Sequence, residues 1–436
     1  MQKMSTQPYK GSRDFYPEDM RLRNYIFNIW KDVCSSYGYK EYDGPFLEDF
    51  SLYAAKTGDE IVNNQLYSFT DKGNRKIAIR PEMTPTLARM ISGKYKTINY
   101  PARWFSIPNL WRYENPQRGR LREFSQLNVD IIGVESPEAD FEIIRTAVEI
   151  MQKVGANEKM FELRINDRRF IDDFYSDLNI NGNQKSELNT ALDKKLKVSE
   201  KDFGLMLKET VKLSGDQIKQ IKTLVKEPLK TLTEYEDKGP IGAKSVFKIL
   251  DLARASNIDK FIKFDPTIVR GLDYYTGTVF EQFDLNPDNI RAMFGGGRYD
   301  DLTDLFIDEK IPATGYGMGD VTFMDFLKTW GLKPDFQNEV DYLITRWPSE
   351  NIEEAGNYYI ESQKIAQMLR SKEKNVIVWL DNNTKLSKQL RYADKEGIPS
   401  VVIIGEDELK NKKITIKNMK SSEQETINAE TAQENL

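Results

Sequence analysis

Apolar positions recur near the start of the chain at helical spacing. Leu22, Ile26, Ile29, Trp30 and Val33 form one stripe over residues 21–37, which Gly38 and then Gly44-Pro45 interrupt. From Ile77 to Ile79, and again from Tyr100 to Tyr113, aromatic and β-branched residues crowd together and predict strands. Phe141–Val154 predicts an amphipathic helix ended by Gly155, and Phe161–Ile165 returns to strand alternation. Between about Arg168 and about Asp259 the pattern changes. Lys, Glu, Asp and Leu dominate and apolar residues keep a helical period, as in Ser245-Val-Phe-Lys-Ile-Leu-Asp-Leu-Ala253. Residues 168–259 are therefore expected to form a helical insertion. Strand signals resume at Thr278–Leu285, and the three glycines at 295–297 read as a turn.

Trp330–Asn338 has the composition of a linker. Beyond it the pattern alternates: strand (Val340–Arg346), helix (Ala355–Leu369), strand (Asn375–Leu380), helix (Thr384–Lys395), strand (Ser400–Ile404). That order predicts a small α/β domain of parallel strands with right-handed crossovers. The expected organisation is a first domain over 1–327 that contains the insertion, a linker at 328–338, a second domain over 339–428 and a polar, frayed tail at 429–436.

Composition narrows the chemistry. The chain has 436 residues, 39% hydrophobic and 30% charged, the balance of a soluble globular protein of two or three domains. It contains no run near the ~18–20 apolar residues of a membrane span, and its first residues lack the apolar core of a secretory signal. The single cysteine, Cys34, excludes an internal disulfide framework and a cysteine-based zinc site, and suits a reducing, cytoplasmic setting. There is no histidine, so imidazole bases, histidine-ligated metals and Ser-His or Cys-His nucleophile pairs are all excluded. Catalysis must run on carboxylates, arginines, tyrosines, backbone groups or the substrate itself. The net charge of −5 confines any nucleic-acid contact to local patches. One such patch is the stretch 384–420, where nine basic residues face five acidic ones.

Four segments stand out. Arg112–Arg122 carries four arginines (Arg112, Arg118, Arg120, Arg122) and one glutamate, Glu114, on a loop that Pro116 and Gly119 place between strands. Guanidinium groups there suit polyphosphate, and the nearby Phe124 suits a base; a solvated arginine-rich hairpin is the plainer reading. Val269–Glu281 sets Tyr274 and Tyr275 beside Arg270 and Asp273, either as a polar-walled pocket or as tyrosines packing a strand edge. Met293–Asp300 contains the three glycines, and Arg80–Thr84 puts a carboxylate and a hydroxyl after a short strand.

In this order and at these separations the segments resemble those of the histidyl-tRNA synthetases, a family of class II aminoacyl-tRNA synthetases. Arg270–Tyr275 and Gly295–Asp300 resemble the two histidine-specific signatures, Arg112–Gln126 resembles motif 2, and Gly44–Glu48 resembles motif 1. Leu386–Leu409 resembles the anticodon-binding domain, and the likeness runs over about residues 8–428. The resemblance implies an α+β fold: an antiparallel sheet flanked by helices, with a helical insertion and a C-terminal α/β anticodon-binding domain. It implies a homodimer formed through motif 1. It further implies ligation of L-histidine to histidine tRNA through a histidyl-adenylate, with ATP as substrate and Mg2+ on its phosphates.

By position, Arg112 and Arg270 match the arginines of the α-phosphate, Arg112 also holding the substrate carboxylate. Glu114 matches the adenine-side glutamate, Arg120 the arginine near the γ-phosphate, and Phe124 the ring stacked on adenine. Glu82, Thr84 and Gln126 match the groups around the substrate ammonium. Asp130 and Tyr275, with Tyr274 beside them, match the readers of the imidazole. Motif 3 departs from the family pattern: Val321-Thr322 stands where Glu-Arg is usual, and Arg298 is the candidate cation to replace that arginine at ATP. Asn115 stands where the loop often has arginine, and Tyr113 and Ser125 where it often has histidine. A non-charging regulatory paralogue of the same fold is the alternative, as is a tRNA-binding protein that has lost its chemistry. The paralogue would be expected to lack the C-terminal domain and much of motif 2.

Overall fold

The chain divides into two units, Met1–Lys333 and Pro334–Leu436, and a computed structural model describes residues 3–55, 64–195, 198–236, 239–269, 274–289, 292–336 and 338–429. Strands and helices are numbered in chain order. The first unit carries β1 (Lys40–Glu41), β2 (Leu47–Asp49), β3 (Ser68–Thr70), β4 (Lys76–Ile79), β5 (Ala102–Ser106), β6 (Asn109–Trp111), β7 (Glu123–Ile132), β8 (Phe161–Asp167), β9 (Ile262–Phe264), β10 (Thr278–Asp284), β11 (Ala292–Arg298) and β12 (Ala313–Gly319). Among the described residues its main sheet runs β1-β5-β7-β12-β11-β10-β8-β9, with β6 also on β7. Pairing is antiparallel from β5 through β8, and the edge strands β1 and β9 lie parallel to their neighbours. Strands β2, β4 and β3 form a separate antiparallel sheet.

One face of the main sheet is covered by α1 (Pro17–Ser36), α4 (Pro137–Lys153) and α11 (Asp320–Thr329). The α1 stripe buries Leu22, Ile26, Trp30, Val33 and Cys34, and the Trp30 ring meets Phe323 of α11 edge-on at 5.6 Å. Burial pushes the Cys34 thiol up to about 12. Helix α1 starts before the apolar stripe because Pro17 opens it behind Tyr16, a first-turn proline needing no backbone N–H. Two shorter helices, α2 (Phe50–Ala54) and α3 (Thr84–Lys94), belong to the other side. The stretch from 168 to 255 is helical: α5 (Arg168–Asp177), α6 (Gly182–Lys194), α7 (Glu200–Leu205), α8 (Gly215–Lys226), α9 (Pro228–Glu236) and α10 (Ile241–Ala255).

Two expectations need correction. Gly295, Gly296 and Gly297 lie inside β11, not in a turn. A Cβ at Gly296 would stand 2.3 Å from the Gly315 carbonyl oxygen and 2.6 Å from Tyr316 Cβ, so the absent side chain serves packing between neighbouring strands. The second unit is also not all-parallel. Its strands β13 (Tyr342–Ile344), β14 (Val376–Val378) and β15 (Ser400–Ile403) are parallel in the order β14-β13-β15. An antiparallel hairpin of β16 (Lys413–Asn418) and β17 (Gln424–Asn428) extends the sheet beyond β15. Helix α12 (Ile352–Ser371) covers one face through Ile365, Ala366 and Leu369 against Ile344 and Val402. Helix α13 (Leu386–Glu396) serves the other through Ala393 against Leu343 and Val401. A third helix, α14 (Glu406–Asn411), precedes β16.

Candidate active site

Alternation along β7 sorts its side chains between the two sheet faces. Val129 is paired with Tyr316, whose hydroxyl reaches Thr146 of α4, so odd-numbered residues of β7 face the helices. Phe124, Gln126, Asn128 and Asp130 face the other way. Across from them β12 presents Gly319, Gly317 and Gly315, in register with Gln126, Asn128 and Asp130. A Cβ at Gly315 would fall 2.1 Å from Asp130 Oδ1, and one at Gly317 would fall 2.8 Å from Gln126 Oε1. A Cβ at Gly297 of β11 would meet the Tyr275 ring at 3.0 Å. The glycines thus form a floor over which Asp130, Gln126 and Tyr275 lie flat.

Asp130 is buried, and its Oδ1 accepts the Tyr299 hydroxyl at 2.5 Å. Burial raises its carboxyl to about 7, with the Tyr299 hydrogen bond acting in the opposite direction. Tyr274 donates its hydroxyl to Glu82 Oε2 at 3.1 Å and also meets the Thr84 hydroxyl at the start of α3. The Tyr274 ring lies 5.1 Å from Tyr275 and 5.8 Å from Tyr299, both edge-on. Burial pushes the phenols of Tyr274 and Tyr299 well up, so both stay protonated donors at neutral pH. Arg168, opening α5, donates to the Tyr275 carbonyl at 2.7 Å. The sequence-selected Glu82, Thr84, Gln126, Asp130, Tyr274 and Tyr275 therefore line one connected region.

At the other end of β7 the loop 112–122 closes over a Gln117–Arg120 bridge, with Gly119 at φ +73°. Arg112 donates Nε to the Pro81 carbonyl at 2.9 Å, and its guanidinium lies 5.3 Å from the Phe124 ring centroid. Arg120 is half-exposed and pairs with Glu114 at 3.3 Å. Arg118 pairs with Asp325 of α11 at 2.9 Å and donates to the Thr329 hydroxyl at 3.0 Å. The Thr322 hydroxyl, at the motif 3 position, lies 3.0 Å from the Met293 carbonyl, to which it donates, and 3.2 Å from the Gly319 carbonyl. Arg112, Glu114, Arg120 and Phe124 are thus neighbours, whereas Arg122 is buried and serves the loop itself.

Arg298 does not join them. It sits one residue past Gly297, so alternation turns it toward α4, where it is sealed. Its guanidinium pairs with Asp140 at 2.8 Å and donates to the Val134 and Ser136 carbonyls at 2.8 and 3.1 Å. The same alternation puts Tyr299 on the glycine side, where it bonds Asp130; the sequence reading passed over it within a segment it had singled out. Arg270 and Asp273 lie outside the described residues.

A sequence model of the family described as histidyl-tRNA synthetase matches residues 11–319, and one described as anticodon binding domain matches residues 349–436. A histidine–tRNA ligase from Leptospira biflexa is 43% identical over 430 residues, 98% of this chain and 96% of that protein. One from Thermoplasma volcanium is 37% identical, covering 97% and 96%. Among solved structures, a histidyl-tRNA synthetase from Nostoc sp. PCC 7120 superposes with a TM-score of 0.81 at 26% identity, covering 99% of both chains.

Proposed function

The chain belongs to the histidyl-tRNA synthetase family, and we propose that it joins L-histidine to histidine tRNA on the site described above. In the first step a carboxylate oxygen of histidine attacks the α-phosphorus of ATP. The new O–P bond forms as the bond to the β-phosphate bridging oxygen breaks, and pyrophosphate leaves. In the second step a ribose hydroxyl at the tRNA end attacks the activated carbonyl carbon, AMP leaves, and the hydroxyl proton passes to a phosphate oxygen of the adenylate. Neither step needs a protein base, because the first nucleophile is already ionised. A chain without histidine is chemically adequate for both.

Arg112, together with Arg270, neutralises charge developing on the α-phosphate, the largest contribution a preorganised site makes to such a transfer. Phe124 stacks on adenine beside Glu114, and Arg120 serves the outer phosphates, which carry magnesium as part of the substrate. Glu82, Thr84 and Gln126 receive the ammonium group. Asp130 and Tyr275 read the imidazole nitrogens, and Tyr299 holds the Asp130 carboxyl in place. The observation that carries the histidine reading is this buried acid–phenol slot on the same face of β7 as Phe124, with Arg112 and Phe124 at the opposite end of the strand. A site built to satisfy both ring nitrogens rejects side chains that leave its polar groups unpaired.

The second unit is proposed to bind the tRNA. Lys388, Arg391 and Lys395 form an exposed basic stripe along α13, with Lys385 just before it and the Trp379–Tyr392 ring pair at 5.4 Å beside it. The homodimer is proposed to form through the β2-β4-β3 sheet, where Phe46, Leu47 and Phe69 are exposed. Among the described residues no helix is long and apolar enough to cross a membrane, and the buried free thiol supports a cytoplasmic location. No observation favours the non-charging regulatory role. Pyrophosphate exchange into ATP, measured with each of the twenty amino acids, tests the proposal. Exchange with histidine alone is expected, despite Thr322; no exchange with histidine overturns it.

A further inference from the structure

The nucleotide end of the site is held by a segment that takes no part in the chemistry proposed for it. The arm Tyr9–Arg13 runs across the start of β7, where the Gly11 carbonyl accepts the backbone N–H groups of Arg122 and Glu123 at 2.8 and 3.1 Å. Gly11 has φ +88°, and a Cβ there would meet Arg122 Cγ at 2.7 Å, so the arm and Arg122 touch without a gap. The Arg122 guanidinium donates Nη1 to the Tyr9 hydroxyl at 2.9 Å and Nε to the Glu114 carbonyl at 3.1 Å, and it lies 3.9 Å from the Tyr113 ring centroid. Arg112 is fixed to the same post, its N–H donating to the Arg122 carbonyl at 2.8 Å. At the other end of the arm, Arg13 Nη2 pairs with Asp320 at 2.7 Å. Asp320 is fully buried at the start of α11 and accepts the Ser125 N–H at 2.9 Å.

We infer that Tyr9 and Arg13 are positioning residues that lock motif 2 against motif 3 and so set the placement of Arg112 and Glu114 around ATP. This rests on the nucleotide roles proposed above. The arm bonds the backbone at the C-terminal end of the arginine loop, reaches the other side of the loop through the Arg122 side chain, and pairs with the first residue of the helix that follows the glycine floor. A second charge pair, Arg118 with Asp325 at 2.9 Å, also ties the loop to that helix, but from the exposed tip of the loop and away from the Asp320 end. Small misplacements of groups that orient a reacting phosphate reduce rate steeply.

The test uses the full chain with Y9F, R13Q and the double variant, measured by ATP–pyrophosphate exchange and by thermal unfolding. Each single variant is expected to raise the KM for ATP about tenfold while the KM for histidine stays within about twofold, because the imidazole slot lies at the far end of β7. R13K, which keeps the charge opposite Asp320, is expected to recover most of the loss. Unchanged kinetics in Y9F and R13Q, or equal rises in both KM values, overturn the inference. Y9F removes one hydroxyl and keeps the ring, so it decides the matter even where R13Q unfolds. Absence of histidine-dependent exchange in the unaltered chain would instead count against the function itself.

Discussion

Asp130 is a carboxylic acid kept in a place where its charge is costly. It sits in β7 with a glycine beneath it and a phenol hydrogen-bonded to one oxygen, and burial lifts it to about 7 from an ordinary value near ~3.9. The sign of the consequence follows from linkage. A folded-state value above the unfolded one favours folding fully below the unfolded value, and this contribution is lost as pH rises through about 7. The urea midpoint should therefore fall between pH 5 and pH 8, and D130N should flatten that fall. The ionised form is the one able to accept an imidazole N–H, so histidine affinity should strengthen over the same interval. D130N should also raise the KM for histidine by about 10–100-fold, the worth of a hydrogen bond to a charged group. A KM unmoved by D130N would remove Asp130 from the substrate site. At this scale much was legible in the sequence. Glu82, Asp130 and Tyr274, which the family resemblance singled out, come from separate segments and are joined through Tyr299. Arg298 was misread, because a charged residue draws notice while the face it occupies depends on strand register.

Among the elements, the glycine-bearing strands decide the shape of the site. Replacing Gly315 by alanine would put a methyl group against Asp130 Oδ1 and the Val129 carbonyl oxygen, at 2.1 and 2.6 Å. Backbone cannot yield as a flexible chain end can, so G315A should destabilise by about 1–3 kcal/mol and weaken histidine binding more than ATP binding. Gly93 supplies the control. It lies in α3 with nothing within 4 Å of a built Cβ, and G93A should be neutral or stabilising by up to ~1 kcal/mol. Thermal unfolding and the two KM values check both variants; equal behaviour would contradict the floor.

These strands were also the hardest to foresee. Glycine has low strand propensity and marks turns, so β11 read as a turn and β12 gave no strand signal. Helices α1, α4 and α10 were readable, because a 3.6-residue period is written locally in each. The parallel contact of β1 with β5 and the hairpin β16–β17 depend on partners elsewhere in the chain.

For the molecule as a whole, the exposed Leu47 and Phe69 share one face of the β2-β4-β3 sheet, with Phe46 exposed just before β2, and we propose that a second copy covers them. L47D is expected to shift the protein from dimer to monomer in sedimentation equilibrium, with exchange activity falling alongside. A wild-type chain that sediments as a monomer at micromolar concentration would refute the dimer. The second unit carries a core on each face of its sheet, with α12 over one and α13 serving the other, so its basic stripe stands on a framework of its own. Cys34, described above as sealed inside α1, has a practical corollary here. Since it is the chain's sole sulfhydryl and is fully buried, with its thiol pushed up to about 12, alkylating dyes are expected to spare it. A cysteine introduced in place of Ser387 on α13 would carry a fluorophore at one defined point, and the arrival of RNA at that helix could be followed as a change in emission.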